Sequence, residues 1–417
     1  MKKRMMTFLT GALIIAAFTN WGNYTSAAES SFKDVPTSHW AKNAIDYAVS
    51  KGYLKGEGNG NFRPNAAVTR AEFAAILDRV STNEIKEGAG SFSDLNGHWS
   101  EKEVNEAVGK GFIKPADYPD GFKPGTELKR IEMAKWMAEG LAKADSDYRK
   151  ALDDTKDTLV PVAEYYKGGL DKAEYPYVSV ALGTGLMTGY NDGTFGPSKT
   201  TTRAEVATIL MRYENTQSKK ANSFRDLNEM REVGLTGTNL TSLTPHRYVI
   251  NKETKEEYSF DKVRDIPMNL SRNLGTEVIH RMIVVDATIE GRSNNIYGRM
   301  FLDKSFNGFI REDRYLIFIE ATIKPRENNL DNLAFVVANP NIFLNGTSFS
   351  TSTDNKYGLS PLPSGKHFIL DKVFTKDVPK RFWMMRSINK KYTNDNFNNG
   401  ASFDVEGKIV SFRIPKD

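Results

Sequence analysis

The segment Thr69-Arg70-Ala71-Glu72 is written again at Thr202-Arg203-Ala204-Glu205, each time at the head of an apolar stripe with helical spacing. A repeated unit of this size constrains a fold more than composition does, because one copy cannot bury its apolar face alone and several must close on one another. Aligning the two segments aligns their surroundings. Phe62-Arg63-Pro64 stands eight residues before the first arginine as Phe195-Gly196-Pro197 stands before the second, and Phe122-Lys123-Pro124 leads with the same spacing to Arg130 and Glu132. Upstream, Phe32-Lys33-Asp34 with His39-Trp40 is echoed by Phe92-Ser93-Asp94 with His98-Trp99. Three copies occupy about residues 32–82, 92–142 and 152–213; the third has Ala173 in the tryptophan position and an insertion at 141–172.

Each copy reads as helix, glycine-rich loop, helix. Ala41, Ala44, Ile45, Ala48 and Val49 follow the spacing of a helix with one buried face, and Phe73, Leu77 and Val80 form the stripe of a second helix expected to pack against it. Thr69 with Glu72, and Thr202 with Glu205, spell capping boxes. The second copy, Lys129-Arg130-Ile131-Glu132, has lost the capping threonine and kept the arginine, so capping does not account for it. A cation gains nothing from a helix N-terminus. The arginines are therefore either solvated charges beside a carboxylate, or halves of an anion site in which a planar fork and helix-end N–H groups meet one carboxylate or phosphate. Trp40 and Trp99 either fill a core or stack on a ligand face, core packing being the commoner fate. Asp34 and Asp94 are expected to fix a turn.

The F-x-D, H-W, G-x-F-x-P and TRAE elements, in three tandem copies over about 180 residues, resemble the S-layer homology domains of bacterial surface proteins. The resemblance implies a mainly α, three-pronged, pseudo-threefold helical unit over residues 29–217. It also implies grooves between the prongs that bind secondary cell wall polysaccharide, commonly through a pyruvate ketal whose carboxylate meets the TRAE arginine. On that basis Arg70, Arg130 and Arg203 are expected ligand residues, with Lys129, Trp40 and Trp99 beside them and the loop at Gly189, Asn191 and Asp192 bordering the third groove. The departures in copies two and three make the grooves unequal.

Lys2, Lys3 and Arg4 precede an apolar run from Met5 to Phe18, and Ser26-Ala27-Ala28 offers small residues for cleavage, the pattern of a signal peptide over 1–28. Its removal takes the formal charge from +5 to +2 by loss of three cations, which leaves no basic patch calling for nucleic acid. The chain has no cysteine, so its cores must hold it without disulfides outside the cell. The final "SFRIPKD" carries no apolar tail or lipidation signal, so attachment to a cell would be non-covalent and, after cleavage, would not involve the membrane.

Beyond Asn215 the character changes. A polar stretch suggests a linker at 218–245, and "EVIHRMIVVDATIE", "RYLIFIEATIK" and "GKIVSFRI" suggest an all-β, sandwich-like domain over 246–417. In the second of these, Ile317, Ile319, Ala321 and Ile323 face one side, with Leu316, Phe318, Glu320, Thr322 and Lys324 on the other. His246, His280 and His367 are isolated and read as structural rather than metal-ligating, and Asp286, Glu290 and Glu320 offer no evident catalytic pair. Phe382 and Trp383 form either a binding patch or, more in keeping with a strand, part of its packing. No cofactor or metal is expected. The whole reads as a non-enzymatic wall anchor displaying a β-rich domain, with a tethered wall hydrolase or a self-associating S-layer lattice protein as alternatives, other surface proteins being candidate partners.

Overall fold

The computed structural model describes residues 32–86, 91–288, 291–306, 308, 310–328, 330–339, 341–344, 346–350, 356–363, 372–393 and 399–415. The signal peptide, Glu290 and His367 lie outside the described residues. The first copy supplies helices α1 (Lys42–Ser50) and α2 (Arg70–Val80), the second α3 (Glu101–Gly109) and α4 (Arg130–Ala144). The third supplies α5 (Ser146–Asp154), the one-turn α6 (Glu164–Lys167), α7 (Tyr175–Gly183) and α8 (Arg203–Gln217). Helices α2 and α8 start with full capping boxes; at α4 Glu132 still reaches back to the Lys129 N–H without a threonine to complete the pair.

The second helix of a copy does not pack on the first helix of the same copy, as the stripes suggested. Instead α2 packs on α3, α4 on α7, and α8 on α1, so every prong joins two successive copies and the last closes on the first. The cause is the extended segment between loop and helix, which carries the chain across the centre of the module. There Val68 N–H donates to Thr201 O at 3.0 Å, Thr201 N–H to Leu128 O at 3.2 Å and Leu128 N–H to Val68 O at 2.8 Å, a closed backbone triangle around three buried side chains. The first N–H groups of each second helix are satisfied across the same seam: Arg70 and Ala71 donate to Thr126 O and Pro124 O, Arg130 and Ile131 to Lys199 O and Pro197 O, Arg203 and Ala204 to Ala66 O and Pro64 O.

Residues 218–245 are not a linker. They hold α9 (Arg225–Thr236) and α10 (Leu240–Leu243); Leu227, Met230 and Val233 of α9 are fully buried, and α9 packs on α5 and α7. The polar stretch at 214–223 that suggested a linker is the end of α8 and the short turn leading into α9.

The C-terminal half is built on antiparallel sheets: β2 (Pro267–Asn269), β3 (Gly275–Val285), β4 (Arg314–Pro325) and β7 (Lys380–Asn389) in one, β1 (Arg247–Tyr248), β9 (Lys408–Arg413) and β8 (Gly400–Val405) in another, and a short pair of β5 (Leu330–Asp331) and β6 (Lys372–Phe374). Ile317, Ile319, Ala321 and Ile323 face a core shared with Phe403, Val405, Val410 and Phe412 of the three-stranded sheet. The opposite face is covered too. Leu316, Phe318, Ile283, Val285 and Trp383 belong to the same continuous apolar core as the helical module. Phe382 and Trp383 are buried strand packing, on opposite faces of β7, rather than an exposed patch.

Candidate functional site

The three arginines occupy equivalent seams, each reaching from its own helix start into the loop of the next copy. Arg70 donates through Nη1 to Phe122 O at 2.8 Å, Arg130 through Nε to Phe195 O at 3.0 Å, and Arg203 through Nε to Phe62 O at 2.9 Å. Under each guanidinium lies an aromatic ring: Tyr118 at 4.9 Å from Arg70, Tyr190 at 4.8 Å from Arg130, and Phe62 at 4.5 Å from Arg203. Each arginine is thus a structural strut between copies, and the fork of Arg130 also borders a groove.

The loops that receive them are fixed by carboxylates. Asp34 accepts from the Phe62 and Arg63 N–H groups, and Asp94 from those of Phe122 and Lys123. Burial acts to raise both carboxyls, but these N–H donors hold them below the usual value. The clamp is needed because Arg63 and Lys123 take left-handed backbone conformations, φ 58° and 54°; in the third copy Gly196 fills that position at φ 71°. There Glu164 of α6 accepts from Phe195 N–H at 3.0 Å and Gly196 N–H at 2.8 Å. Sequence spacing missed Glu164 because the insertion breaks register, placing Lys167 where the aspartate would stand.

The electrostatics of the seams differ. Arg70 is paired with Glu132 at 2.7 Å, Arg130 lies 3.6 Å from Glu205, and for Arg203 no carboxylate reaches ion-pair distance among the described residues. Burial lowers the Arg203 pKa against weaker raising influences from Glu72 and Glu57, and the group stays cationic at any ordinary pH. Its positive charge is therefore the least neutralised of the three.

One seam opens into a groove of about 580 Å³ between Arg130, the 187–191 loop and the face of α8, with Trp40 at its rim. Gly189, Asn191, Thr202 and Glu205 line it with Arg130. Trp40 and Trp99 are 66% and 60% exposed, Trp40 stacked on His39 and Trp99 tilted against His98, which removes the core-packing alternative. Trp99 precedes α3 where that helix meets α2, as Trp40 precedes α1 beside α8. At the Arg70 seam the tryptophan against Tyr118 and Phe122 is Trp136, which is buried, and no exposed tryptophan stands there among the described residues. Lys129 is exposed and does not line the 580 Å³ groove, and Asp192 fixes its own turn by accepting from Thr194 N–H and Oγ1.

In the C-terminal half Glu320 and Asp286, two of the residues weighed for catalysis, are tied to neighbouring side chains. Glu320 accepts from Arg281, Arg381 and Tyr166, and Asp286 accepts from Lys390 and Asn294. His246 packs against Phe412 with Nδ1 on Thr244 Oγ1, while His280 bridges Asp265 and Thr322. Among the described residues no group of three or more His, Asp or Glu is placed to hold a metal ion, and no helix is long and apolar enough to cross a membrane.

The profile of the S-layer homology domain matches residues 31–74, 91–134 and 170–207. The chain is 27% identical over 274 residues to an S-layer protein of Bacillus licheniformis, covering 65% of this chain and 29% of that protein. It is 34% identical over 135 residues to a cellulosome-anchoring protein of Acetivibrio thermocellus, covering 30% of each, and 33% identical over 108 residues to endo-1,4-beta-xylanase A of Thermoanaerobacterium saccharolyticum, covering 25% of this chain and 9% of that enzyme. The chain spans less than a third of the length of these relatives. Its helical half carries three S-layer homology domains, closed into a ring in which the third domain docks on the first.

Proposed function

We propose that this chain is a non-enzymatic surface protein whose helical module docks on anionic secondary cell wall polysaccharide and holds the antiparallel-sheet half at the cell surface. A cell-surface location follows from the three S-layer homology domains and from relatives named as S-layer and anchoring proteins. The observation that carries the binding reading is the Arg130 groove, where a guanidinium, an exposed indole and loop backbone groups converge on one space. A sugar would lay its apolar face on Trp40 while a pyruvate ketal carboxylate meets the guanidinium fork. Arg203 with Trp99 repeats the arrangement with less neutralised charge, and Arg70, paired to Glu132 and with only the buried Trp136 beside it, is the weakest of the three. Several modest grooves on one chain raise retention through effective concentration.

The test is co-sedimentation of the mature chain, residues 29–417, with intact walls and with walls stripped of secondary polysaccharide. Binding to intact walls alone, competed by the released polysaccharide, supports the reading. Equal binding to stripped walls overturns it.

A further inference from the structure

The third groove differs from the others in what holds its loop. Asp34 and Asp94 lie on turns at the start of their own copies, whereas Glu164 lies on the single turn α6, whose next two residues reach into the C-terminal sheet. Tyr166 OH donates to Glu320 Oε1 at 2.8 Å, and Tyr165 OH accepts from Arg281 Nη2 at 2.6 Å. Glu320 is 0% exposed and is also bound by Arg281 Nη1 at 2.5 Å and Arg381 Nε at 2.7 Å. A bulge in β3 between Ile279 and Arg281 sets Arg281 opposite Glu320 on the face turned to the helices. A second contact lies on the same loop: a Cβ on Gly193 would fall 3.0 Å from the buried Tyr357 ring and 2.9 Å from Lys356, so the loop is seated directly on the C-terminal half.

An unbroken path of short polar contacts thus runs from the buried Glu320 cluster through Tyr165 and Tyr166 to α6, through Glu164 to the Phe195 and Gly196 N–H groups, and from Phe195 O to Arg130. Each link is a hydrogen bond to or from an ionised group, the stronger kind. Among the described residues nothing comparable reaches the loops at Phe62 and Phe122, whose clamps are local.

We infer that Tyr165 and Tyr166 are positioning residues for the Arg130 groove: the C-terminal sheet sets the place of α6, and through Glu164 it sets the loop that faces the ligand, so this groove alone is coupled to the C-terminal half. The inference rests on the polysaccharide reading only for its ligand. Coupling is reciprocal, so occupancy of the groove must in turn protect the sheet around Glu320.

Hydrogen exchange on the mature chain, first without ligand, tests it in a way that survives failure of the binding reading. In Tyr165→Phe/Tyr166→Phe, and more strongly in Glu164→Gln, the Phe195 and Gly196 amides are expected to exchange about tenfold faster, with Phe62, Arg63, Phe122 and Lys123 unchanged. Should the double variant unfold, Tyr166→Phe alone is the milder form of the same test. Adding purified pyruvate-bearing wall polysaccharide should then protect residues 187–196 less in the variants than in the unaltered chain, while protection at 55–63 stays equal. Unchanged exchange at Phe195 and Gly196 in the tyrosine variants, or an equal rise in all three loops, overturns the coupling. Absence of polysaccharide protection in the unaltered chain refutes the binding reading and leaves the ligand-free comparison to decide the coupling.

Discussion

Replacing Arg130 with alanine should unseat the ring as well as weaken wall binding. The side chain is 4% exposed and makes two bonds to carbonyls, Phe195 O and Thr188 O, each at 3.0 Å, with Glu205 3.6 Å away. A hydrogen bond from a charged donor contributes about 1.5–3 kcal/mol, and the substitution leaves both carbonyls without that donor. Loss of the stacking on Tyr190 and of the attraction to Glu205 adds about 1 kcal/mol. The sum is about 4–7 kcal/mol, which for a unit of this size lowers Tm by roughly 8–28 °C. Differential scanning calorimetry of the mature chain reads this directly. Arg130→Lys should recover only part of the loss, because an ammonium cannot span Phe195 O and Thr188 O as a fork does. A variant with unchanged Tm and lost wall binding would show the arginine to be a ligand group only, and would refute the strut.

Other consequences follow from the same geometry. Trp40→Ala should weaken wall binding several-fold, about 1 kcal/mol, with Tm unchanged within a degree, since the ring is 66% exposed; sedimentation titration and calorimetry check the two halves of that statement. Glu320→Leu leaves Arg281, 8% exposed, without its buried carboxylate and should cost about 3–5 kcal/mol in chemical denaturation. Burial pushes the Glu277 carboxyl up to about 8 from about 4.3 in an unfolded chain. A raised carboxyl contributes stability that is complete below the unfolded value and lost as pH climbs through the folded one. Glu277→Gln should therefore be close to neutral at pH ~4 and increasingly stabilising towards pH ~8, by up to about 5 kcal/mol at 1.4 kcal/mol per unit; an equal difference at both pH values would contradict it.

The ring was legible as a repeat and illegible as a ring. Spacing from Phe62, Phe122 and Phe195 to their arginines marked three copies, and the capping boxes at Thr69 and Thr202 marked helix starts. Which helix packs on which depends on the central crossing at Val68, Leu128 and Thr201, and three short apolar or hydroxyl side chains in extended backbone carry no sequence signature of that crossing. The strand period at Tyr315–Lys324 correctly separated two faces, but nothing in it marked the face of Glu320 as buried. A buried carboxylate is readable only from its partners, and Arg281, Arg381 and Tyr166 lie far along the chain. The same holds for the site. Arg130, Gly189 and Asn191 line one groove, whereas Glu164 escaped because an insertion had moved the clamp.

The measurement that bears most directly on the central claim is sedimentation of residues 29–417 with isolated walls before and after chemical removal of the polysaccharide's pyruvate, at matched ionic strength. A carboxylate read by Arg130 and Arg203 predicts that removal abolishes binding or weakens it by at least tenfold. Binding that is unchanged by removal would contradict the account, and the arginines would then be struts of the ring and nothing more.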